Sequence, residues 1–402
     1  AATEVGVEQI VIKSAAQLMK TSTIQNVLGW IIATRPAPTL LYQPTEDTAQ
    51  KFSSSKLTPM LKSTAVLTKA LGGPSALAKK SATNKVAEKR FHGGWYAVMS
   101  ASAENSFGMH SATYVFLDEI SKYKPVKGMA NPVDLAIQRT EFAEGQRLIV
   151  MVSTPKEEGD CEVSARIHDS DRRMPYVACP SCGHLHSYVW SDVRWDKDDA
   201  ERGLPETAHL ECPSCSHAWT EAERRLALTT EGGVTWRQTR PFTCCGVNQN
   251  PTETRSWVQV SRSNFHACCT ECKATPISNK VAGFDKASAL FSPIRPLSAR
   301  VEEFLKAKGD PAKMQKFVNE VLAEPWKTSR EDTSFEADPE ALASRLEVPW
   351  ERVPAGVQVV TAGVDTQDDR LEVEIVGWGS SLETWSLDYH VIHGSPADPQ
   401  VW

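Results

Sequence analysis

Five short apolar runs constrain this chain more than anything else in it: "EQIVIK" (8–13), "TLLYQP" (39–44), "WYAVMSA" (95–101), "YVFLDE" (114–119) and "RLIVMVST" (147–154). Each is dense in Val, Ile, Leu or Tyr and too short to be a helix that buries a face. Helical patterns fall between them, as at 21–33 and 46–62. Parallel strands need long crossovers and helices supply them, so this alternation predicts a mostly parallel sheet covered on both faces. Residues 1–160 are expected to form one α/β core.

Beyond 160 the texture changes. Residues 161–280 carry cysteines, prolines and tryptophans with little periodicity, which predicts a zinc-ribbon insertion. Residues 281–345 read as a helical segment and linker, with Gly309-Asp310-Pro311 as a turn and acidic, Pro-containing sequence at 331–356. Residues 346–402 begin another domain, with two strands in "VQVVTAGVDTQDDRLEVEIVGWG" (357–379) and a third in "ETWSLDYHVI" (383–392). A length of 402 residues makes two or three domains the expectation, and 41% hydrophobic with 23% charged residues is ordinary for globular protein. No run approaches the roughly 18–20 uncharged apolar residues of a membrane span, so no membrane is expected. The first strand starts without a leader pattern, and "SPADPQVW" follows an unfinished strand pattern, so the chain is expected to be a piece of a longer protein.

A net charge of −6 argues against a uniformly basic protein. Residues 51–90 nevertheless carry Lys51, Lys56, Lys62, Lys69, Lys79, Lys80, Lys85, Lys89 and Arg90 against one acid, Glu88. Such a run can hold polyphosphate, although a solvated face is the simpler reading.

The first strand runs into "KSAAQLMKTS" and then a helical pattern, which is the layout of a phosphate-binding loop. Lys20-Thr21 fits the end of the G-x-x-x-x-G-K-S/T pattern, but Ser14 and Met19 stand at its glycine positions. On the motif alone an ordinary strand-to-helix turn explains it better. The chemistry needs backbone N–H groups at a helix N-terminus, a lysine for the β/γ oxygens and a hydroxyl for Mg²⁺. Lys20, Thr21 and the helix supply these; Lys13 adds a second cation at the loop entrance and Gln17 lies within the loop. "YVFLDE" then ends a strand in Asp118-Glu119, at the edge where open α/β sheets bind ligands. Asp118 would hold Mg²⁺ with ATP through water, and Glu119 would orient and deprotonate the attacking water; the bland alternative is an acidic helix cap. "LIVMVSTP" ends a strand in Ser153-Thr154, hydroxyls placed to sense a γ-phosphate. In this order the three motifs read as an additional-strand P-loop ATPase core.

The ten cysteines all lie between 161 and 272. "CPSC" occurs twice, and Cys179, Cys182, Cys212 and Cys215 make a four-thiolate set for one structural Zn²⁺, closed to substrate. "TCCG" with "HACCTEC" offers a second set, Cys244, Cys245, Cys269 and Cys272, where the adjacent pair is awkward and Cys268 or His266 are substitutes. One zinc is expected and two are an open possibility. Modules this small need metal as folding energy.

Taken together, "AQLMKTS", "YQPTEDTAQKFSSSKLTPML", "VFLDEISKY", "MVSTP", "FVNEVLAEPW" and "TAGVDTQDDRLEVEIVGWG" resemble the lambda-type bacteriophage terminase large subunits over nearly the whole chain. The resemblance implies an ATP-driven motor that moves double-stranded DNA, with Asp118 and Glu119 as metal and catalytic acids and "VSTP" coupling turnover to movement. It implies an RNase H-like nuclease domain beginning at 346, truncated here, with Asp365 as a nuclease-metal ligand and therefore no DNA cleavage by this chain alone; read without the resemblance, Asp365 is a strand-end turn residue. Partners implied are a terminase small subunit, a portal protein or procapsid and further copies of the chain, all in the host cytoplasm. A helicase would have no use for the "GVDTQDDR" hairpin. The alternative from another class is a zinc-containing DNA-binding adaptor with weak or no ATPase activity.

Overall fold

The structure is a computed structural model that describes residues 2–18, 20–74, 87–108, 110–125, 128, 130–327, 352–367, 369–380 and 383–394. Met19, Asp368, Lys79, Lys80, Lys85, most of the expected linker and "SPADPQVW" lie outside the described residues. The chain divides into two compact units, 1–328 and 329–402.

The first unit is built on a mixed sheet. Its first six strands are β1 (Gln9–Ser14), β2 (Thr39–Gln43), β3 (Glu88–Phe91), β4 (Gly94–Ser100), β5 (Tyr114–Asp118) and β6 (Leu148–Ser153). All five apolar runs are strands here. β1 pairs in parallel with β6, β6 with β5, β5 with β2 and β2 with β4, and β3 closes that edge antiparallel. The strand that ends in Ser153 therefore lies between the strand entering the "KSAAQLMKTS" loop and the strand ending in Asp118. Residues alternate between two buried faces: Ile10, Leu41, Phe116 and Val150 pack on one, Val11, Leu40, Val115 and Ile149 on the other. Helix α1 (Lys20–Thr34) covers the first face with Ile24, Leu28 and Ile31, spaced to form one stripe. Both sides of each strand are thus dry, which is why these runs are continuously apolar rather than alternating.

The cysteine-bearing segment extends this sheet. It contributes β7 (Arg173–Ala178), β8 (Leu185–His186), β9 (Val193–Lys197), β10 (Gly203–Glu211), β11 (Ala218–Trp219), β12 (Thr235–Gln238), β13 (Phe242–Cys244), β14 (Val247–Gln249), β15 (Trp257–Ser261) and β16 (Asn264–Ala267). Strands β9–β11 form a separate small sheet and β13–β14 a hairpin, whereas β7, β12, β15 and β16 join the main one.

A correction concerns residues 281–345, expected to be helix and linker. Val281–Ala287 is strand β17, inserted between β1 and β7 and parallel to both. "VAGFDKA" hides it because glycine and two charges interrupt the apolar pattern. Each interruption has a tertiary cause. Gly283 packs where a Cβ would overlap the Ser170 side chain, and its N–H donates to Asp171. Asp285 meets Lys13 from β1. Past β17 the expected helices appear at Leu297–Ala307 and Pro311–Phe317, with Gly309 at φ +87 between them.

The second unit contains β18 (Val359–Thr366), β19 (Arg370–Trp378) and β20 (Thr384–His393), an antiparallel sheet in that order. These are the three strands expected from the alternation at 357–392.

Candidate functional site

The carboxyl ends of β1, β6, β5 and β2 carry a row of polar groups. The 3.3 Å rise and in-phase parallel pairing of these strands place their last residues side by side: Lys13 is level with Ser153, and Asp118 with Val152. At this edge the loop after β1 turns into α1. Lys20, the first residue of α1, is buried; its Nζ donates to the Ala15 and Ser14 carbonyls at 3.2 and 3.4 Å and lies 3.5 Å from Glu119 Oε1. Thr21 follows it in the first turn.

Glu119 leaves β5 in the left-handed region, at φ 57 and ψ 48. That conformation costs a non-glycine residue about 1–2 kcal/mol, and it swings the carboxylate away from the strand toward its neighbours. Thr154 Oγ1 donates to Glu119 Oε2 at 3.2 Å, and Lys122 Nζ lies 3.4 Å away. Burial pushes the Glu119 carboxyl up, but the Lys20 and Lys122 ammoniums outweigh it and hold the acid below the usual glutamate range. Burial likewise pulls Lys20 below the usual lysine range, against the attraction of Glu119 and Asp118.

Asp118 is the contrasting acid. It is 4% exposed, and Gln43 Nε2 donates to its Oδ2 at 3.0 Å. Its other oxygen, Oδ1, is buried with no hydrogen-bond partner among the described residues. Burial raises its pKa to about 6, with the Gln43 hydrogen bond opposing and the Glu119 charge adding to the rise. Ser153 does not reach the acids; its Oγ accepts from the Ser121 N–H and donates to the Thr154 carbonyl, which ties β6 to the turn after Glu119.

The structure therefore brings together Lys20, Asp118, Glu119 and Thr154, while Ser153 is spent on the turn beside them. Lys13 sits elsewhere: its Nζ is ion-paired with Asp285 of β17 at 2.9 Å. Gln17 is exposed, in the left-handed region at φ 57, and borders a cavity with Leu18; no contact with the acids is among its described interactions. Gln43 and Lys122 went unnoticed in the sequence. "TLLYQ" has the same form as "YVFLD", a buried run ending in one polar residue, and that was the available signal.

The cysteines gather as two quartets, Cys179/Cys182/Cys212/Cys215 and Cys244/Cys245/Cys269/Cys272, each with all sulfurs within 4.8 Å. Three of the pairs share one backbone shape. The residue after each C-x-x-C, namely Gly183, Ser216 and Lys273, has φ of 72, 55 and 60 and donates its N–H to the first cysteine's carbonyl. The first cysteine's N–H in turn reaches the carbonyl of His184, His217 or Ala274. The adjacent pair uses another device: Cys245-Gly246 form the two-residue turn of the β13–β14 hairpin, both with positive φ. This bend brings neighbouring thiols to one point. Cys268 and His266 are engaged elsewhere, with Ser256 Oγ at 3.2 Å and Glu4 at 2.8 Å.

In the second unit Asp365 lies on β18 opposite Glu372 of β19 and accepts from Gln367 at 2.6 Å. Among the described residues no group of three metal-ligating side chains forms around it.

A cation on a strand-to-helix loop, facing paired acids at the carboxyl edge of a parallel sheet, defines the class as an α/β enzyme that acts on phosphate esters. Residues 1–236 match the family "Phage terminase large subunit gpA, ATPase domain", and residues 281–402 match "Terminase large subunit gpA, endonuclease domain". The chain belongs to the phage terminase large subunit gpA family. It is 24% identical to the terminase large subunit of Escherichia phage lambda, over 98% of this chain and 58% of that protein. It is 25% identical to the terminase large subunit of Enterobacteria phage P21, over 96% of this chain and 56% of that protein. The chain thus spans a little over half the length of these relatives. The large terminase ATPase domain of Thermus phage P74-26 aligns over 79% of this chain and 88% of its own, at 12% identity and a TM-score of 0.37, too low to carry an argument. Among the described residues no helix is long and apolar enough to cross a membrane.

Proposed function

We propose that residues 1–328 form the ATP-hydrolysing domain of a DNA-packaging motor, an additional-strand P-loop ATPase, and that 329–402 begin its RNase H-like nuclease domain. The observation that carries the ATPase reading is the convergence of Lys20, Glu119 and Thr154, which follow the carboxyl ends of three neighbouring strands. In the complete protein the motor would drive double-stranded DNA into a procapsid in the host cytoplasm, working with a small subunit, a portal protein and further copies of itself.

The residues divide the work as follows. Lys20 and the N–H groups of the first turn of α1 hold the β- and γ-phosphates. Glu119, kept ionised by its two lysines, takes the proton from a water that attacks the γ-phosphorus as the bond to the β–γ bridging oxygen breaks. The unpartnered, buried Oδ1 of Asp118 fits an Mg²⁺-bound water, and Thr21 offers the matching hydroxyl; bound Mg²⁺ would neutralise charge on the phosphates. Thr154, bonded to Glu119, links the hydrolysing acid to β6 and so offers a route by which γ-phosphate loss is felt.

The cysteine quartets fit structural Zn²⁺. Sulfur pairs stand at 3.9 Å in the first quartet and 3.5–4.0 Å in the second. A tetrahedral ion with Zn–S of about 2.3 Å separates its sulfurs by about 3.8 Å. Four thiolates close each site, so the metal would serve folding. Asp365 is proposed as a nuclease-metal ligand.

The test is DNA-stimulated ATP hydrolysis. The wild-type chain should turn over ATP, and Glu119→Gln should lose at least a hundredfold in kcat while still binding ATP. Equal phosphate release by both proteins at background level, with unchanged DNA binding, would favour the adaptor reading.

A further inference from the structure

Four arginines are buried among the described residues, and three of them are ion-paired there. Arg173 meets Glu4 and Asp171, Arg224 meets Glu221, and Arg300 meets Glu303. Arg237 is 8% exposed and meets no carboxylate among the described residues. Taking a guanidinium out of water without a counter-charge is costly, so other groups have to hold this one.

The holder is one face of the extended sheet. β12 lies between β7 and β16, and β15 pairs with β16 at the edge. Tyr176 stands opposite Thr235, Phe265 opposite Arg237 and Trp257 opposite Ala267. With a strand period of two, Tyr176, Arg237, Phe265 and Trp257 therefore share a face. The Arg237 guanidinium lies 5.0 Å from the Trp257 ring centre and 3.9 Å from that of Phe265, so cation–π attraction takes the place of an ion pair. Trp257 is fixed in turn: its Nε1 donates to the Gln238 carbonyl at 2.8 Å, and its ring stands 5.6 Å from Tyr176. Arg237 Nε donates to Thr235 Oγ1 at 3.2 Å, and the terminal nitrogens stay open to solvent.

A second guanidinium stands at the rim. Arg255 is exposed, in the left-handed region at φ 51, and its Nη2 donates to His184 Nε2 and to the Leu185 carbonyl, both at 3.1 Å. Glu253, the acid nearest to it in sequence, accepts from Asn250 instead. Burial pulls Arg237 below the usual arginine range; Tyr176 opposes this, and the like charge of Arg255 adds to it. His184 follows Cys182 by two residues and β16 runs on to Cys269, so the face lies between the two cysteine quartets.

We infer that this face takes the phosphate backbone of double-stranded DNA, a reading that rests on the DNA-packaging assignment above. Two guanidiniums that repel each other, with no acid between them, are relieved by an anion set across both, and their planar forks match phosphate oxygens. The aromatic rings fix the inner fork in advance, so binding has little left to order. Trp257 and Phe265 are half-buried and Gln259 is exposed beside them, which leaves the face open along β15 and β16 for a long polyanion.

Fluorescence anisotropy of a short labelled duplex of mixed sequence, titrated with the 402-residue chain over a salt series, counts the contacts. Arg237→Met and Arg255→Ala should each weaken binding about fivefold to tenfold at about 0.1 M salt, and each should lower the slope of log K against log salt by about one. Gln259→Lys, at an exposed position on the same face, should tighten binding about threefold or more and steepen the slope by about one. It keeps the test open if an arginine variant misfolds, which zinc content and circular dichroism report. Arg202→Ala removes an exposed charge from the β9–β10 turn and should change neither quantity. If the wild type binds duplex and the three face variants match it, or if Arg202→Ala loses as much as they do, the face is overturned and the packaging reading stands. Displacement of the duplex by polyglutamate at equal charge would assign the face to acidic protein and overturn the proposal as well. If the wild-type chain binds no duplex, the DNA reading itself fails, and the face with it.

Discussion

Asp118 and Glu119 are neighbours in sequence and opposites in electrostatics. Asp118 is buried and Glu119 half-buried; two lysines hold the Glu119 carboxyl below its ordinary range, whereas burial pushes Asp118 up to about 6 from an ordinary 3.8 against the single amide bond from Gln43. The sign of the stability effect follows. Between about pH 4 and 6 the folded chain binds more protons at Asp118 than the unfolded chain, so this group's contribution falls as pH rises through that window and the deficit is complete above it. Asp118→Asn removes the deficit. The variant is expected to be more stable than wild type at pH 7.5, by on the order of 2 kcal/mol, with the gap closing by pH 4; urea melts at both pH values check this. The same variant loses ATP turnover, a trade expected where a site is kept under strain.

Gln43 belongs to the same scale. It fixes one oxygen of Asp118 and leaves the other, Oδ1, without a partner among the described residues, the oxygen proposed to meet a metal-bound water. Gln43→Ala leaves a buried acceptor unpaired, at a cost of about 1–3 kcal/mol, and lets the carboxylate rotate. The expected outcome is a fall of about tenfold in kcat together with a higher Mg²⁺ requirement, the metal-dependent part being what a merely structural residue would not change. Titration of ATPase rate against Mg²⁺ measures it. Lys20, Asp118 and Glu119 were legible from motif and strand-end position. Gln43, Lys122 and the Lys13–Asp285 pair were not, because each acts through a side chain distant in sequence, and strand order alone decides which ends are adjacent.

Among the elements, the cysteine modules depend on backbone shape as much as on thiol count. Three C-x-x-C turns repeat the same left-handed residue and the same pair of N–H bonds, and a tight hairpin accommodates Cys244-Cys245. Zinc analysis of the purified chain should therefore give two ions, and Cys212→Ser or Cys269→Ser should each lose one. Cys212→Ser should lower the melting temperature more, because Cys212 and Cys179 both belong to a buried cluster with Leu297 and Trp219, whereas Cys269 is the single buried cysteine of its quartet and is in neither the clusters of the main sheet nor that one. The CPSC spacing announced the first module. The second was ambiguous because a sequence shows two adjacent cysteines but not the positive φ of the turn that brings both thiols to one place. β17 was missed for a related reason: Gly283 and Asp285 break its pattern in one dimension and complete it in three.

For the whole molecule, the division at 328/329 places every proposed ATP-handling residue and both cysteine quartets in one unit. Residues 1–328 made alone are expected to keep both zinc ions and to bind Mg²⁺–ATP within threefold of the full chain. A tenfold loss, by calorimetric titration, would show that the second unit is needed to form the site.

What the sequence determined by itself was local: which runs are strands, which loop turns from a strand into a helix, which acids end a strand and which thiols come in pairs. Apolar density, turn chemistry and residue spacing are properties of neighbours along the chain, and they read directly. Tertiary structure decided the order of strands, and with it that Thr154 meets Glu119, that Gln43 meets Asp118, and that Lys13 is committed to Asp285. It also decided that the residues after β17 return to the loop after β1, where the Ala16 N–H donates to the Glu320 carbonyl. Those contacts join segments up to about three hundred residues apart, and no local pattern encodes them, because a strand's neighbours are chosen by the packing of the whole sheet.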